Sequence, residues 1–292
     1  MNILLVTNNN KDLDYDFSKK VIDYLNTKKQ HVYSTVSELV ELSNVDMVEE
    51  KKLSKMDFAI VIGGDGTVLN YASKYAKYKF PFVSINLGRV GALSMIEKEC
   101  YQKYLDKILN KDYYIEERLG LECQVKFKDK DDKVEFVGYN DIILHRGLSM
   151  KLLPIEMSVN NSKEDVIYAD GMVISTPSGS SAYNVSAGGP LLSMNSKAYV
   201  LTPICPQSRI FTSLVVSQED KIRLCVSNKT SLHKQEITLS GDGFYNCFIS
   251  PGDEIFIKKS NMKLRMIRFN EEYLMYQSAH KAVNSMKKKG EK

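Results

Sequence analysis

The sequence predicts an α/β amino-terminal domain, a parallel sheet covered by helices, followed by an all-β, sandwich-like carboxy-terminal domain. Three observations carry that expectation. In the first third of the chain, apolar runs of strand length alternate with apolar residues at helical spacing, which is the pattern of strand-helix-strand units. From about Tyr113 the hydrophobic period changes to two, the mark of half-buried antiparallel strands. Within the first part, the turn Gly63-Gly64-Asp65-Gly66-Thr67 joins an unbroken apolar run to a helical one. The expected domains are residues 1–112 and 113–270, with a helical segment within 271–292 returning to the first.

Taken in order, Ile3-Leu4-Leu5-Val6 is a short apolar strand, and Phe17, Val21, Ile22 and Leu25 fall on one helical face. Phe58-Ala59-Ile60-Val61-Ile62 reads as a buried strand, and Val68, Leu69, Ala72 and Ala76 continue beyond the glycine turn at helical spacing. Phe82–Asn86 is a further strand, and Tyr104, Leu105, Ile108 and Leu109 recur as a helix. Leu121, Cys123, Val125 and Phe127 then alternate with polar residues, and similar runs fall around 134–144, 153–159, 166–175, 222–226, 235–239 and 254–258. No repeat and no low-complexity linker interrupts this order.

Composition narrows the function. At 292 residues and 43% hydrophobic content, the chain is long enough for two cores. A net charge of +4, with basic residues spread out except for Lys287-Lys288-Lys289, gives no electrostatic footprint for nucleic acid. Cys100, Cys123, Cys205, Cys225 and Cys247 are odd in number, widely separated and without a C-x-x-C pair. They read as reduced thiols, neither a disulfide framework nor a zinc site. His31, His145, His233 and His280 are too scattered to suggest a metal cluster. With no basic segment ahead of the first apolar run and none of spanning length, the expectation is a cytoplasmic protein with no membrane partner.

The glycine turn is the first motif with chemistry. Glycines at a strand-to-helix turn let a phosphate approach the backbone amides, and the first helical turn points unpaired N–H groups at the same place. The Asp65 carboxylate would repel that phosphate unless it handles a proton, a ribose hydroxyl or a bridging metal, and a kinase needs those functions together. Alone, the pentapeptide could equally close an ordinary turn. No G-x-G-x-x-G follows Val6, where the chain reads Thr7-Asn8-Asn9-Asn10, and no G-x-x-x-x-G-K-[ST] occurs, so any nucleotide chemistry uses another cradle.

A second constellation runs from Asp170-Gly171 through Ser175-Thr176-Pro177-Ser178-Gly179-Ser180-Ser181-Ala182-Tyr183-Asn184 to Gly188-Gly189-Pro190. Its hydroxyls suit a base edge and sugar hydroxyls, although hydroxyls at a helix start more often only cap it. A third, Asn140-Asp141, places an amide and a carboxylate ahead of the apolar Ile142-Ile143-Leu144 and His145-Arg146-Gly147; alone it is more often a turn.

Taken in sequence, G-G-D-G-T, Asn86-Leu87-Gly88-Arg89-Val90-Gly91, N-D with H-R-G, the long D-G…G-G-P motif and Thr202-Pro203-Ile204-Cys205-Pro206 resemble the NAD kinase family over roughly residues 60–255. The glycine turn alone would also admit lipid kinases. The resemblance implies transfer of the γ-phosphoryl of ATP, or of polyphosphate, to the 2′-hydroxyl of the adenosine ribose of NAD, forming NADP. It further implies a homodimer or homotetramer. Carried over by motif, Asp65 matches the catalytic aspartate, and Gly63, Gly64, Gly66 and Thr67 match the phosphate-proximal turn. Leu69 matches the apolar side of the pocket. Asn140 and Asp141 match the pair that holds the dinucleotide, while Asp170, Ser178, Ser181, Ala182, Tyr183 and Ser186 match positions around its bases and riboses. Some of these act across a subunit interface in relatives. No protein metal ligand is expected; Mg²⁺ would be bound chiefly through the triphosphate.

Two positions depart from the family pattern. Ala92 follows Gly91 where an aromatic residue is common, and Asp242-Gly243-Phe244 stands where the family has D-G-Q, so Asp242 reads equally well as a turn residue. The competing functions are a lipid or sugar kinase with the same glycine turn, which predicts an apolar channel or an arginine clamp, and a silent dinucleotide-binding sensor, which predicts loss of the Asp65 carboxylate.

Overall fold

The computed structural model describes residues 1–43, 45–88, 91–148, 150–163, 165–208, 212–227 and 237–270, apart from the side chains of Tyr245 and Asn246. The helix expected within 271–292 lies outside the described residues. The described chain divides into two compact units, one formed by Met1–Arg118 with residues 263–270, the other by Leu119–Met262.

In chain order the elements are β1 (Asn2–Thr7), α1 (Asp16–Thr27), β2 (His31–Ser34), α2 (Ser37–Leu42), β3 (Asp46–Met47), α3 (Glu50–Leu53), β4 (Phe58–Ile62), α4 (Asp65–Tyr75), β5 (Phe82–Asn86), β6 (Ile96–Glu97), α5 (Tyr101–Leu109) and β7 (Tyr114–Arg118). There follow β8 (Leu121–Lys126), β9 (Lys133–Gly138), β10 (Asp141–His145), β11 (Leu153–Val159), β12 (Asp165–Ala169), β13 (Gly171–Ser175), α6 (Tyr183–Ser186), β14 (Ala198–Ile204), β15 (Leu214–Ser217), β16 (Ile222–Val226), β17 (Ile237–Gly241), β18 (Phe244–Ile249), β19 (Glu254–Lys259) and β20 (Leu264–Arg268).

The first unit is an α/β layer structure. Its sheet has the order β3-β2-β1-β4-β5-β20-β7, with β6 added beside β5. All pairs are parallel except β20 with β7. The run Phe58–Ile62 is buried at every position because it is a central strand with both faces covered, which is why it shows no alternation. Val21, Ile22 and Leu25 of α1 and Leu105 and Ile108 of α5 join this core at the spacing that the sequence displays.

The expected boundary at 112/113 lies a few residues before the division at Arg118. The segment Tyr114–Arg118, assigned to the second domain from the change of period near Tyr113, is antiparallel to β20, and β20 in turn runs beside β5, so both strands belong to the first sheet. A period of two identifies a strand, not the sheet it joins.

The second unit is a sandwich of two six-stranded sheets, ordered β15-β14-β13-β10-β17-β18 and β12-β11-β16-β19-β8-β9. Cys123, Ile155 and Leu224 of one sheet and Ile142, Met172, Leu201 and Leu239 of the other meet in one core, which accounts for the alternation along β8, β17 and β19, whereas β13 is buried throughout. Within the first of these sheets, Asp141 pairs with Ser175 and Ile142 with Gly241. That register gathers the start of β10, the end of β13 and the end of β17 at one edge. The other end of β13, Gly171, pairs with His145 and Ile204.

Candidate active site

In the α/β unit, Gly63 follows β4 and Asp65 opens α4, with Gly64 as its cap residue. The Gly64 carbonyl accepts from Thr67 N at 2.9 Å and Val68 N at 3.2 Å, which leaves the amides of Asp65 and Gly66 ahead of the helical ladder. Thr67 is buried, and its Oγ1 accepts from Asn8 Nδ2 at 3.2 Å. Leu69 is buried in the same helix.

The loop after β1 supplies what the sequence reading missed. Asp12, 4% exposed, accepts from Thr7 Oγ1, Ser18 Oγ and the amides of Phe17 and Ser18. Those bonds pin the turn that carries Lys11, whose Nζ lies 3.5 Å from where a Cβ on Gly64 would stand. A cation therefore overlooks the glycine turn. It comes from the strand-end loop that holds the glycine fingerprint in other nucleotide folds, so absence of that fingerprint concealed it.

Asp65 does not hang free. Ala92 N donates to Oδ2 at 2.8 Å, while Leu93 N at 3.1 Å, Ser94 N at 2.9 Å and Ser94 Oγ at 2.7 Å donate to Oδ1. A Cβ on Gly91 would fall on the carboxylate itself, so only glycine lets this loop come so close. The contact is made by backbone amides, and Ala92 in place of an aromatic residue leaves it intact. Behind the loop, Arg268 and Arg118 both donate to Glu116 Oε2, at 2.8 and 2.9 Å. Burial pushes the Glu116 carboxyl up, but the two guanidinium groups outweigh it and hold it below the ordinary carboxylate range.

In the β unit, Asn140 and Asp141 sit where β10 begins. The Asp242 carboxylate accepts from Asn140 N at 2.6 Å and Asp141 N at 3.2 Å through Oδ1, and from Tyr139 N at 2.8 Å through Oδ2. Asp242 has φ 56° and precedes Gly243 in a turn, so its carboxylate fixes the backbone that presents Asn140. Burial pushes Asp242 up against the opposing pull of those three amides. Asp141 is 4% exposed, and burial first, then the charge of Asp242, raises its carboxyl from 3.8 to about 7.

The hydroxyl-rich segment divides into two groups. Thr176 Oγ1 donates to Tyr139 O at 2.7 Å and accepts from Gly179 N at 3.1 Å; Ser180 Oγ donates to Pro177 O at 2.8 Å and accepts from Leu192 N at 3.0 Å. Asn184 bridges Ser180 O, Pro190 O and Thr202 Oγ1. These side chains hold the segment together, and Gly179 lies so close to Asn140 that a Cβ there would strike its carbonyl. Ser178 is buried with its Oγ against Met194 Sδ at 4.0 Å. Ser181 is half-buried, whereas Ala182, Tyr183 and Ser186 are exposed.

Asp170 stands apart from the Asn140 cluster, at the opposite end of β13. It pairs with Arg146, Nε to Oδ1 2.6 Å, and the span of the strand separates it from Asp141 by roughly 16 Å at 3.3 Å per residue. Tyr183 opens α6, which packs against β13, and burial first, then Cys205, Asp170 and Asp141, pushes its hydroxyl above the ordinary range.

A family model described as the ATP-NAD kinase N-terminal domain matches residues 3–113, and one described as the ATP-NAD kinase C-terminal domain matches residues 139–269. The chain belongs to the NAD kinase family. It is 34% identical over 266 residues to the NAD kinase of Thermoanaerobacter sp. (strain X514), covering 90% of this chain and 92% of that one. It is 35% identical over 266 residues to the NAD kinase of Carboxydothermus hydrogenoformans, covering 91% and 89%. Among solved structures, yeast NADH kinase complexed with NADH aligns with a TM-score of 0.82 at 23% identity, covering 97% of this chain and 86% of that one. An NAD kinase from Archaeoglobus fulgidus in complex with ATP aligns at 0.74 with 24% identity, covering 98% and 99%. Those two likenesses show the shared fold. The family membership makes the chain a kinase that phosphorylates NAD, and it removes the lipid or sugar kinase and the silent sensor as alternatives.

Proposed function

We propose that Asp65 is the base that accepts the 2′-hydroxyl proton of the adenosine ribose of NAD while the γ-phosphoryl of ATP, or of polyphosphate, is transferred to that oxygen. The observation that carries this reading is the unequal loading of its carboxylate. A carboxylate offers about four lone-pair sites. Oδ1 takes three donors and Oδ2 one, which leaves Oδ2 room for a sugar hydroxyl. As the 2′-oxygen attacks the γ-phosphorus and the bond to the bridging oxygen breaks, the proton passes to Oδ2 and the electron pair leaves with the diphosphate. The amides ahead of α4, Gly63, Gly64, Gly66 and Thr67, and the Lys11 ammonium serve the triphosphate.

Asn140 and Asp141, with exposed Ala182, Tyr183 and Ser186, serve the dinucleotide, with Ser178 and Ser181 beside them. Asp170 serves it from the far end of β13, a position that supports a role across a subunit interface in a homodimer or homotetramer. Exposed Val166 and Tyr168 on the edge strand β12 support association of copies. Among the described residues no three His, Cys, Asp or Glu converge, and no helix is long and apolar enough to cross a membrane. The Asp65 carboxylate, Gly63 O, Gly64 O and Thr67 Oγ1 are all engaged in hydrogen bonds, so Mg²⁺ would be held chiefly through the triphosphate, where it would neutralise charge on the phosphoryl group. The working location is the cytoplasm. Incubating the pure protein with NAD, Mg²⁺ and either ATP or polyphosphate, with NADP detected by a coupled dehydrogenase, tests the reading; NADP formed with neither donor, or from none, overturns it.

A further inference from the structure

Among the described residues, Arg268 is the largest side chain less than 2% exposed, and its guanidinium makes contacts that the sheet does not require. It donates through Nε to Glu116, through Nη1 to Leu93 O at 3.3 Å and through Nη2 to Ala92 O at 3.5 Å. The Ala92 carbonyl shares a peptide group with the Leu93 amide, and the Leu93 carbonyl shares one with the Ser94 amide. Those two amides are the ones that donate to Asp65 Oδ1. Two peptide groups thus stand side by side, each with a guanidinium at its oxygen and the Asp65 carboxylate at its N–H. Hydrogen bonds in such a chain polarise one another, because the charge at each end strengthens the bond at the other.

We infer that Arg268 is a positioning residue for Asp65, acting through the peptides 92–94 to hold Oδ1 and so aim Oδ2. The inference rests on the reading of Asp65 as the base. A buried arginine is a poor choice for stability alone, since apolar residues of similar volume usually hold a strand as well or better. Here its fork spans two carbonyls in successive peptides, which a lysine ammonium lacks the geometry to do. Glu116 fixes the guanidinium plane, and Arg118 shares the same carboxylate oxygen. The strands β7 and β20 place the set on one sheet face, with Met266 opposite Glu116 and Arg268 opposite Tyr114.

A double-mutant cycle on the full chain tests it, with Arg268→Met, Arg268→Lys, Asp65→Asn and the two combinations. If Arg268 acts through Asp65, Arg268→Met lowers kcat by about 10- to 100-fold, the cost of a carboxylate displaced by about an ångström, with KM for ATP and NAD changed less than threefold. Arg268→Lys recovers part of kcat. On the Asp65→Asn background the same substitutions lower kcat no further. Equal losses on both backgrounds, or KM rising in step with falling kcat, overturn the inference and leave Arg268 a structural residue. Should Arg268→Met fail to fold by circular dichroism, the Arg268→Lys arm of the cycle decides by the same criterion. Normal turnover of Asp65→Asn alone overturns the underlying reading instead, an outcome distinct from additivity in the cycle.

Discussion

Asp65 in the α/β unit and Asp242 in the β unit are held by the same local device: each carboxylate accepts the backbone amides of three consecutive residues, 92–94 in one case and 139–141 in the other. What differs is what lies on the far side. Asp65 opens a helix beside exposed Gly66 and keeps a lone pair in reserve, whereas Asp242 lies in a turn against the raised carboxyl of Asp141. The first arrangement presents the carboxylate; the second uses it to present the peptide that it grips. A carboxylate's hydrogen-bond list alone therefore does not assign its role.

The comparison breaks most visibly at Asp65. Asp65→Asn keeps the shape and an acceptor for the loop but removes the base, so kcat falls by roughly 10²–10⁴. NAD affinity by calorimetry changes far less, and stability drops by about 1 kcal/mol for one lost amide bond. Turnover within a few-fold of the parent protein would make Asp65 a turn residue like its counterpart.

Asp242→Ala gives the reverse pattern. Three amides lose their acceptor, so thermal unfolding shows a loss of about 2–4 kcal/mol, and KM for NAD rises as the Asn140 peptide loosens. The value of kcat at saturation stays within about threefold. A collapse of kcat with an unchanged melting temperature would instead place Asp242 among the reacting groups.

The smallest effect concerns pH. Because Asp141 is raised from 3.8 to about 7, the folded chain keeps a proton that the unfolded chain releases. This contribution to stability is full below pH 3.8 and is lost as pH rises through 7. Melting temperature should therefore fall between pH 6 and 8 by a few degrees more in the parent protein than in Asp141→Asn. Parallel curves for the two proteins would remove the burial argument.

Much of this was legible in residues alone. Phe58–Ile62 and Phe82–Asn86 were readable to the residue as strands: the first is an unbroken apolar run, as a central parallel strand usually is, and the second carries Phe82, Val83 and Ile85 with only Ser84 and Asn86 polar. The motifs identified the family and its chemistry. The hydroxyl-rich segment was readable as a unit but not in its division of labour. Whether Thr176 grips Tyr139 or faces a ligand depends on the pairing of two strands distant in sequence, with Asp141 opposite Ser175.

Local sequence by itself determined the strand-turn-helix that carries Asp65, the alternation that makes a sandwich, and the set of residues capable of the chemistry, because each depends on neighbours within a few positions. Tertiary structure alone decided that Lys11 overlooks Gly64, that Asp242 clasps 139–141, that Asp170 stands at the opposite end of β13 from Asp141, and that Arg268 backs the loop holding Asp65. Those are contacts between segments distant in the chain, fixed by sheet register and burial, and no local pattern of residues encodes which strand lies beside which.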